Sequence, residues 1–263
     1  MKDKLRTAFI ERFSSNPVFY ASAGRINLIG EHTDYNGGFV FPGAIDKYIM
    51  TAININGTDK VRLYSVDMNQ YTEFGLREED KPAEQWACYV FGVCREVIKR
   101  GFEVKGFDAV FAGDVPLGAG LSSSAALESC FAYALNDLFN DNKISIFELA
   151  LIGQSTEHNY CGVNCGIMDQ FASVFGKKDC LMRLDCRSLE FKYFPFKPVG
   201  YKLVLVNSQV KHELVDSPYN KRRESCERVA KTLGVETLRD ADMSMLEAAK
   251  NQISDEDYKR AVY

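Results

Sequence analysis

Leu5, Phe9 and Phe13 recur at four-residue intervals among Arg6, Glu11 and Arg12, a spacing that predicts an amphipathic helix at the start of the chain, stopped by Ser14-Ser15-Asn16-Pro17. Residues 18–23 read as a strand leading into a polar, glycine-flanked stretch, and extended structure resumes at 39–41 beyond Gly37-Gly38. Runs 48–55 and 61–66 are rich in β-branched and aromatic residues. The turn-prone joint Asn56-Gly57-Thr58-Asp59-Lys60 between them predicts an antiparallel hairpin. Trp86, Tyr89, Val90, Val93 and Val97 fall at helical intervals, which predicts a helix over 84–100 with Gly101 as its stop. A strand over 107–112 follows, then a glycine-containing loop over 113–120. Leu127, Phe131, Ala134, Leu135 and Leu138 mark the buried face of the next helix. Ser145 and Glu148 form a capping box for a helix carried through Glu157, and a short helix covers 168–175. Extended runs fall at 180–184, 189–194 and 203–206. Ser217-Pro218 opens another helix with proline at its first position, and Gly234 ends it.

Strands and helices mixed in this order, with an early hairpin, predict an α+β fold in place of a regular parallel α/β sheet. The 263 residues allow one large or two smaller domains, and 46% hydrophobic residues suffice for a buried core. A formal charge of −4 and a pI near 5.6 give no broad basic footprint, so nucleic acid is not expected as a partner; a local basic pocket for phosphates stays open. The eight cysteines, at 88, 94, 130, 161, 165, 180, 186 and 226, form no Cys-x-x-Cys pair and no disulfide-like framework. Reduced thiols and a cytoplasmic setting fit them. Cys161 and Cys165 beside His158 do not have zinc-site spacing, and packing is the expected role. The amphipathic start is not a secretory signal, and no run approaches the roughly 18 apolar residues of a membrane span.

The run Ala23-Gly24-Arg25-Ile26-Asn27-Leu28-Ile29-Gly30-Glu31-His32-Thr33-Asp34-Tyr35-Asn36-Gly37-Gly38 concentrates donors and acceptors between glycines. Glu31, His32, Asp34 and Asn36 at short spacing, with the fixed charge of Arg25, suit a polyhydroxylated ligand such as a sugar. The plainer reading is a solvated turn, and the density of polar groups argues against it. Gly118-Ala119-Gly120-Leu121-Ser122-Ser123-Ser124 stands between a strand and a helix, where unpaired N–H groups and the helix dipole make an anion cradle. It is not a Walker A loop, a dinucleotide fingerprint or a hydrolase elbow, and an ordinary serine-rich helix cap is the alternative. Asp169, in Gly166-Ile167-Met168-Asp169-Gln170, has apolar neighbours and needs a charged partner, for which Arg25 is the candidate. A buried structural ion pair is the other reading of those two.

The polar run resembles the signature of galactokinases, members of the family that also contains homoserine, mevalonate and phosphomevalonate kinases. Pro116-Leu117-Gly118-Ala119-Gly120-Leu121-Ser122-Ser123-Ser124-Ala125-Ala126-Leu127-Glu128 resembles that family's phosphate loop, and Cys165-Gly166-Ile167-Met168-Asp169-Gln170-Phe171 its catalytic-aspartate segment. The resemblance runs from about residue 16 to the end of the chain. It implies a two-domain GHMP-kinase fold with a ribosomal-protein-S5-like N-terminal domain over 1–196, a partial C-terminal domain over 197–263 and the active site in the cleft between them. It further implies an ATP- and Mg2+-dependent galactokinase transferring a phosphoryl group to the anomeric hydroxyl of galactose.

By the same resemblance Asp169 accepts the proton of the attacking hydroxyl, and Arg25 orients Asp169 and stabilises negative charge. Glu31, His32, Asp34, Gly166, Asp169 and Tyr219 line the galactose site. Trp86 packs against adenine, with core anchoring as its alternative, and Gly118, Ala119, Gly120, Leu121, Ser122, Ser123 and Ser124 hold the phosphates. Glu157, with Ser123 or Ser124, binds magnesium; an ordinary surface glutamate is the plainer reading. A guanidinium beside a carboxylate weakens it as a base, which phosphoryl transfer tolerates because its transition state is often loose. Galactokinases are longer and carry a further glycine-rich segment, whereas Gly200 and Gly234 are the only glycines here after Gly176. A truncated form is therefore expected. A catalytically silent galactose- and ATP-binding sensor and a kinase for N-acetylgalactosamine are the alternatives.

Overall fold

The computed structural model describes residues 1–116, 118–206 and 218–263. Leu117 of the phosphate loop and Ser217 at the start of the late helix lie outside them. The predicted first helix, α1 (Lys2–Phe13), ends where Ser14 turns left-handed at φ 54°. It lays Leu5 and Phe9 against Ala52, Tyr64, Val110 and Ala112 on one face of a five-stranded sheet. Both side chains are wholly buried, a gain of about 1.5–3 kcal/mol each.

That sheet contains β1 (Val18–Asn27), β3 (Pro42–Ile55), β4 (Val61–Ser65), β5 (Gln70–Phe74) and β6 (Phe107–Gly113), in the order β1-β3-β6-β4-β5. The predicted hairpin between 48–55 and 61–66 does not form. Strand β6 inserts between the two, antiparallel to β3 and parallel to β4. The joint at 56–60 straddles the start of β6, with Asn56 N–H donating to Gly106 O and Gly106 N–H to Thr58 O. A central strand must be apolar on both faces, and β6 is the one whose residues are buried almost without a break.

The opposite face carries α2 (Gln85–Lys99), α3 (Ser123–Asn140), α4 (Ile146–Thr156) and α5 (Met168–Phe175). Phe91, Phe107, Phe131, Phe171, Leu135 and Ile152 close the core between these layers. Ser145 caps α4 by accepting from Glu148 N–H at 3.2 Å. Helix α4 then widens into a π-helical turn, Glu157–Cys161, before Gly162 ends it at φ 71°.

A second sheet joins β2 (Phe39–Val40), β7 (Cys180–Asp185) and β8 (Phe191–Pro195). Residues 203–206, expected to be extended, form no strand. Val204 and Val206 are exposed, and among the described residues no strand lies alongside them. Helix α6 (Pro218–Leu233), ended by Gly234, packs with α7 (Met243–Ala248) and α8 (Asp255–Val262). Arg239 fastens this group to the rest by donating to Asp185 and, at 2.6 Å, to Gly37 O.

Among the described residues no helix is long and apolar enough to cross a membrane. The eight cysteines are free.

Candidate active site

Strand β1 runs four residues past its predicted end, which brings Arg25 into the sheet just beyond a bulge at Gly24. A Cβ at Gly24 would stand 2.7 Å from Leu121 O, so only glycine lets the strand come this close to the phosphate loop. Arg25 N–H then donates to Leu121 O at 3.1 Å. The guanidinium reaches Asp169 Oδ1 through Nε at 2.7 Å and Nη2 at 2.6 Å, and its Nη1 donates to Gly120 O. The expected ion pair therefore exists. It is held by the loop and by α5, from residues far apart in the chain.

The other oxygen, Asp169 Oδ2, accepts from Ser122 Oγ at 2.5 Å. Ser122 sits at the N-cap of α3 in a left-handed conformation, φ 58°, and its side chain makes no capping bond. Its hydroxyl is committed to Asp169. The first N–H groups of the 18-residue helix α3 thus keep their donors free of a side-chain cap, an arrangement suited to an anion. Gly118 and Gly120 take φ 68° and 70°, and open space lies where a Cβ would stand on either. Ser123 and Ser124 open the helix, and Ser124 lies close enough to Glu157 to favour its ionised form.

Glu157 is not the surface residue of the plainer reading; it is 5% exposed, at the head of the π-helical turn. That turn is fixed from α2 and its approach: Lys81 Nζ donates to Tyr160 O at 2.7 Å and Asn159 Nδ2 to buried Glu96 at 2.9 Å. Burial, then the charge of Asp169, pushes the Glu157 acid up to about 7. Glu128, four residues along α3 from Ser124, is completely buried against it and is raised well above the carboxylate range, again chiefly by burial. Its Oε2 accepts from Gln170 at 3.2 Å, while Oε1 has no donor. Three carboxyl groups, Asp169, Glu157 and Glu128, thus lie close enough to feel one another's charge, and only Asp169 is paired with a guanidinium. Reasoning from sequence did not single out Glu128, because Ala-Ala-Leu-Glu reads as helix interior; its place four residues after Ser124 was the available signal.

The surplus of acid fits a hard divalent cation, and the oxygen donors fit Mg2+. Among the described residues no three acidic, histidine or cysteine side chains form a protein-only cage. A cation here would rest on Glu157 and a serine hydroxyl and complete its shell with phosphate oxygens and water, as Mg2+ usually does.

On the sugar-signature side, Asn27 Nδ2 donates to exposed Glu31 at 2.9 Å. Asp34 is 8% exposed, and burial followed by the charge of Asp169 raises it to about 6. A Cβ on Gly166 would fall 2.0 Å from Asp34 Oδ2, so Gly166 exists to admit that carboxylate. Tyr219, delivered by α6, accepts from Gly166 N–H at 3.4 Å, and its ring centroid lies 5.7 Å from that of His32. Arg25, Asp34, Gly166, Asp169, His32 and Tyr219 are thereby gathered about one locus. Trp86 sits elsewhere: 8% exposed, tilted against Phe111, it donates to Gln70 at 2.7 Å, and it takes part in the core.

Two predictions follow from this geometry. Gly166→Ala displaces Asp34 at a cost of about 1–3 kcal/mol in stability; thermal melts check it. The second concerns pH. Acids whose folded pKa lies above the unfolded value bind more protons when folded, so Glu157 and Asp34, with Glu128 in the same direction, make stability fall as pH rises from about 4 to about 7. His32, lowered by burial, opposes this only below its ordinary value. Urea midpoints are expected to be lower at pH 7.5 than at pH 5.5, and Glu157→Gln flattens the slope.

A strand, a glycine-bearing loop and a helix N-terminus facing an arginine–aspartate pair make an anion-binding entrance beside a charged site. The sequence model of the GHMP kinases N terminal domain matches residues 88–177, and that of the galactokinase galactose-binding signature matches residues 7–55. The chain is 45% identical over 224 residues to the galactokinase of Thermotoga petrophila, covering 85% of this chain and 62% of the relative. To that of Clostridium tetani it is 39% identical over 236 residues, covering 89% and 60%. The crystal structure of Lactococcus lactis galactokinase complexed with galactose superposes with a TM-score of 0.90 at 35% identity, over 99% of this chain and 70% of that one. Methanococcus jannaschii mevalonate kinase, at 14% identity and a TM-score of 0.56, shares the fold. The chain belongs to the galactokinase family. It spans about three fifths of the length of the curated relatives it matches.

Proposed function

We propose that this chain carries the catalytic face of an ATP-dependent galactokinase, which forms galactose 1-phosphate. The observation that carries the reading is the bridge Arg25–Asp169–Ser122, which joins the sugar signature to the phosphate-loop helix within one hydrogen-bonded unit. Galactose lies against Glu31, His32, Asp34, Gly166 and Tyr219, with its anomeric hydroxyl at Asp169. The nucleotide's phosphates rest on Gly118, Ala119, Gly120, Leu121, Ser122, Ser123 and Ser124, and Trp86 bounds the adenine side from within the core. The cleft then falls between residues 1–196 and the helical group within 197–263.

Positioning does most of the work in this reading. Asp169 orients the hydroxyl and takes its proton as the new O–P bond forms and the bond from the γ-phosphorus to the departing ADP breaks, while Arg25 stays beside the transferring group and offsets its charge. The free N–H groups of α3 stabilise the phosphate oxygens. Glu157 with Ser123 or Ser124 would hold Mg2+, which would supply neutralisation of the charge that builds during transfer. The free cysteines fit a reducing compartment, and a cytoplasmic setting belongs to this reading.

A coupled ADP-release assay with galactose, N-acetylgalactosamine, mevalonate and homoserine tests it. Turnover with galactose alone supports the assignment. Binding of galactose and ATP without turnover gives a sensor, and turnover with N-acetylgalactosamine gives a kinase for that sugar.

A further inference from the structure

Tyr35 lies in the sugar signature but between the residues assigned to the ligand, and its placement is specific. Its hydroxyl is 2.9 Å from His32 Nδ1, and among the described residues that is its only hydrogen bond. Its ring meets His32 edge-on at 5.9 Å and Tyr219 at 5.5 Å, so three aromatic rings form a closed triangle. The backbone holds His32 in place: it stands at φ 63°, its carbonyl accepts from Asn36 Nδ2 at 2.8 Å, and Tyr35 is the middle residue of the short turn Asp34–Asn36, closed by Gly37 N–H to Asp34 O. Rotation of either ring would break the triangle.

The proton on this hydrogen bond can be placed. Burial raises the Tyr35 phenol, which therefore stays protonated, and burial with the charge of Arg222 lowers His32, which therefore stays neutral. A phenol with one acceptor in reach donates to it, so Nδ1 is the acceptor and the imidazole proton sits on Nε2. Nε2 makes no hydrogen bond to any described residue and is left for a ligand.

We propose that Tyr35 is a positioning residue that fixes His32 as its Nε2–H tautomer, so that the sugar site presents one fixed donor beside the acceptors Glu31 and Asp34. A sugar hydroxyl held here must receive a hydrogen bond from His32 and give its own proton to a carboxylate. A ligand group with only N–H donors cannot satisfy that pattern. The recognition half of this proposal rests on the galactose reading above; the tautomer half does not.

The test uses histidine labelled with 15N in the intact chain, with long-range proton–nitrogen correlation. His32 is assigned with the His158→Gln and His212→Gln variants. The expected spectrum has a bare Nδ1 and a protonated Nε2. Tyr35→Phe keeps the ring triangle and removes only the hydroxyl, so it should mix the tautomers and weaken galactose binding about tenfold by calorimetry, which is about 1.4 kcal/mol. His32 protonated at Nδ1 in the unmodified chain overturns the proposal, as does a Tyr35→Phe variant with unchanged spectrum or unchanged affinity. If the spectra follow but the unmodified chain binds no galactose, the tautomer assignment is supported and the sugar reading falls.

Discussion

Asp169→Asn is expected to lower kcat for galactose by about 10²–10⁴, the range a positioned general base supplies, while leaving the fold and the sugar KM nearly intact. The structure explains why so small a change can be so selective. Asp169 uses its two oxygens differently: Oδ1 accepts twice from Arg25 and Oδ2 accepts once from Ser122. An asparagine keeps the oxygen facing Arg25 and turns its NH2 toward Ser122, whose hydroxyl can rotate to accept. The guanidinium also retains Gly120 O as a partner. What disappears is the ability to take up a proton and the negative charge opposite Arg25. The Arg25 and Asp169 side chains are only 13% and 28% exposed, so loss of one charge costs some stability, which the retained hydrogen bonds to Arg25 and Ser122 limit. A rate loss under tenfold, with a large drop in melting temperature, would show instead that the pair is a structural salt bridge.

How much of this site could be read beforehand depended on whether chemistry or topology was being asked for. Arg25 and Asp169 are 144 residues apart, yet a carboxylate among apolar neighbours demands a cation, and that demand does not depend on the path of the chain. Gly166 was legible as part of a motif, whereas its physical reason, the Asp34 oxygen 2.0 Å from its missing Cβ, exists only in three dimensions. Topology failed where local signals are blind to what lies between. The joint at 56–60 has good turn chemistry, but its two strands are separated by β6, a strand some 40 residues later that belongs between them. Strand β5 was missed because Gln70 and Tyr71 are exposed and only Thr72 and Phe74 are buried, too short an alternation to stand out. Residues 203–206 failed in the opposite sense, having strong strand propensity and no neighbouring strand among the described residues. Glu128 was invisible for a related reason, since it is a charge that only burial against Glu157 makes significant.

That buried pair carries the second large effect. Glu157→Gln is expected to raise the stability of the ligand-free protein near pH 7.5 and at the same time to lower the phosphoryl-transfer rate by at least about 10², because a bound cation supplies several kcal/mol of charge stabilisation that its ligand must secure. The two halves have one cause. Burial and the charge of Asp169 hold Glu157 up at about 7, so above that pH the folded protein must keep a charge where the surroundings disfavour it, with Glu128 pressed against it. A glutamine keeps the shape and an oxygen for Ser124 and removes the charge. The melting temperature should rise by a few degrees, as about 1 kcal/mol gives for a chain of this size. The gain should vanish at pH 5.5, where Glu157 is already protonated in the folded state. Turnover should then need more Mg2+, if it survives at all. A variant less stable at both pH values and fully active would mean that Glu157 is a core acid whose protonated form serves packing, and the cation would have to be placed elsewhere on the helix entrance.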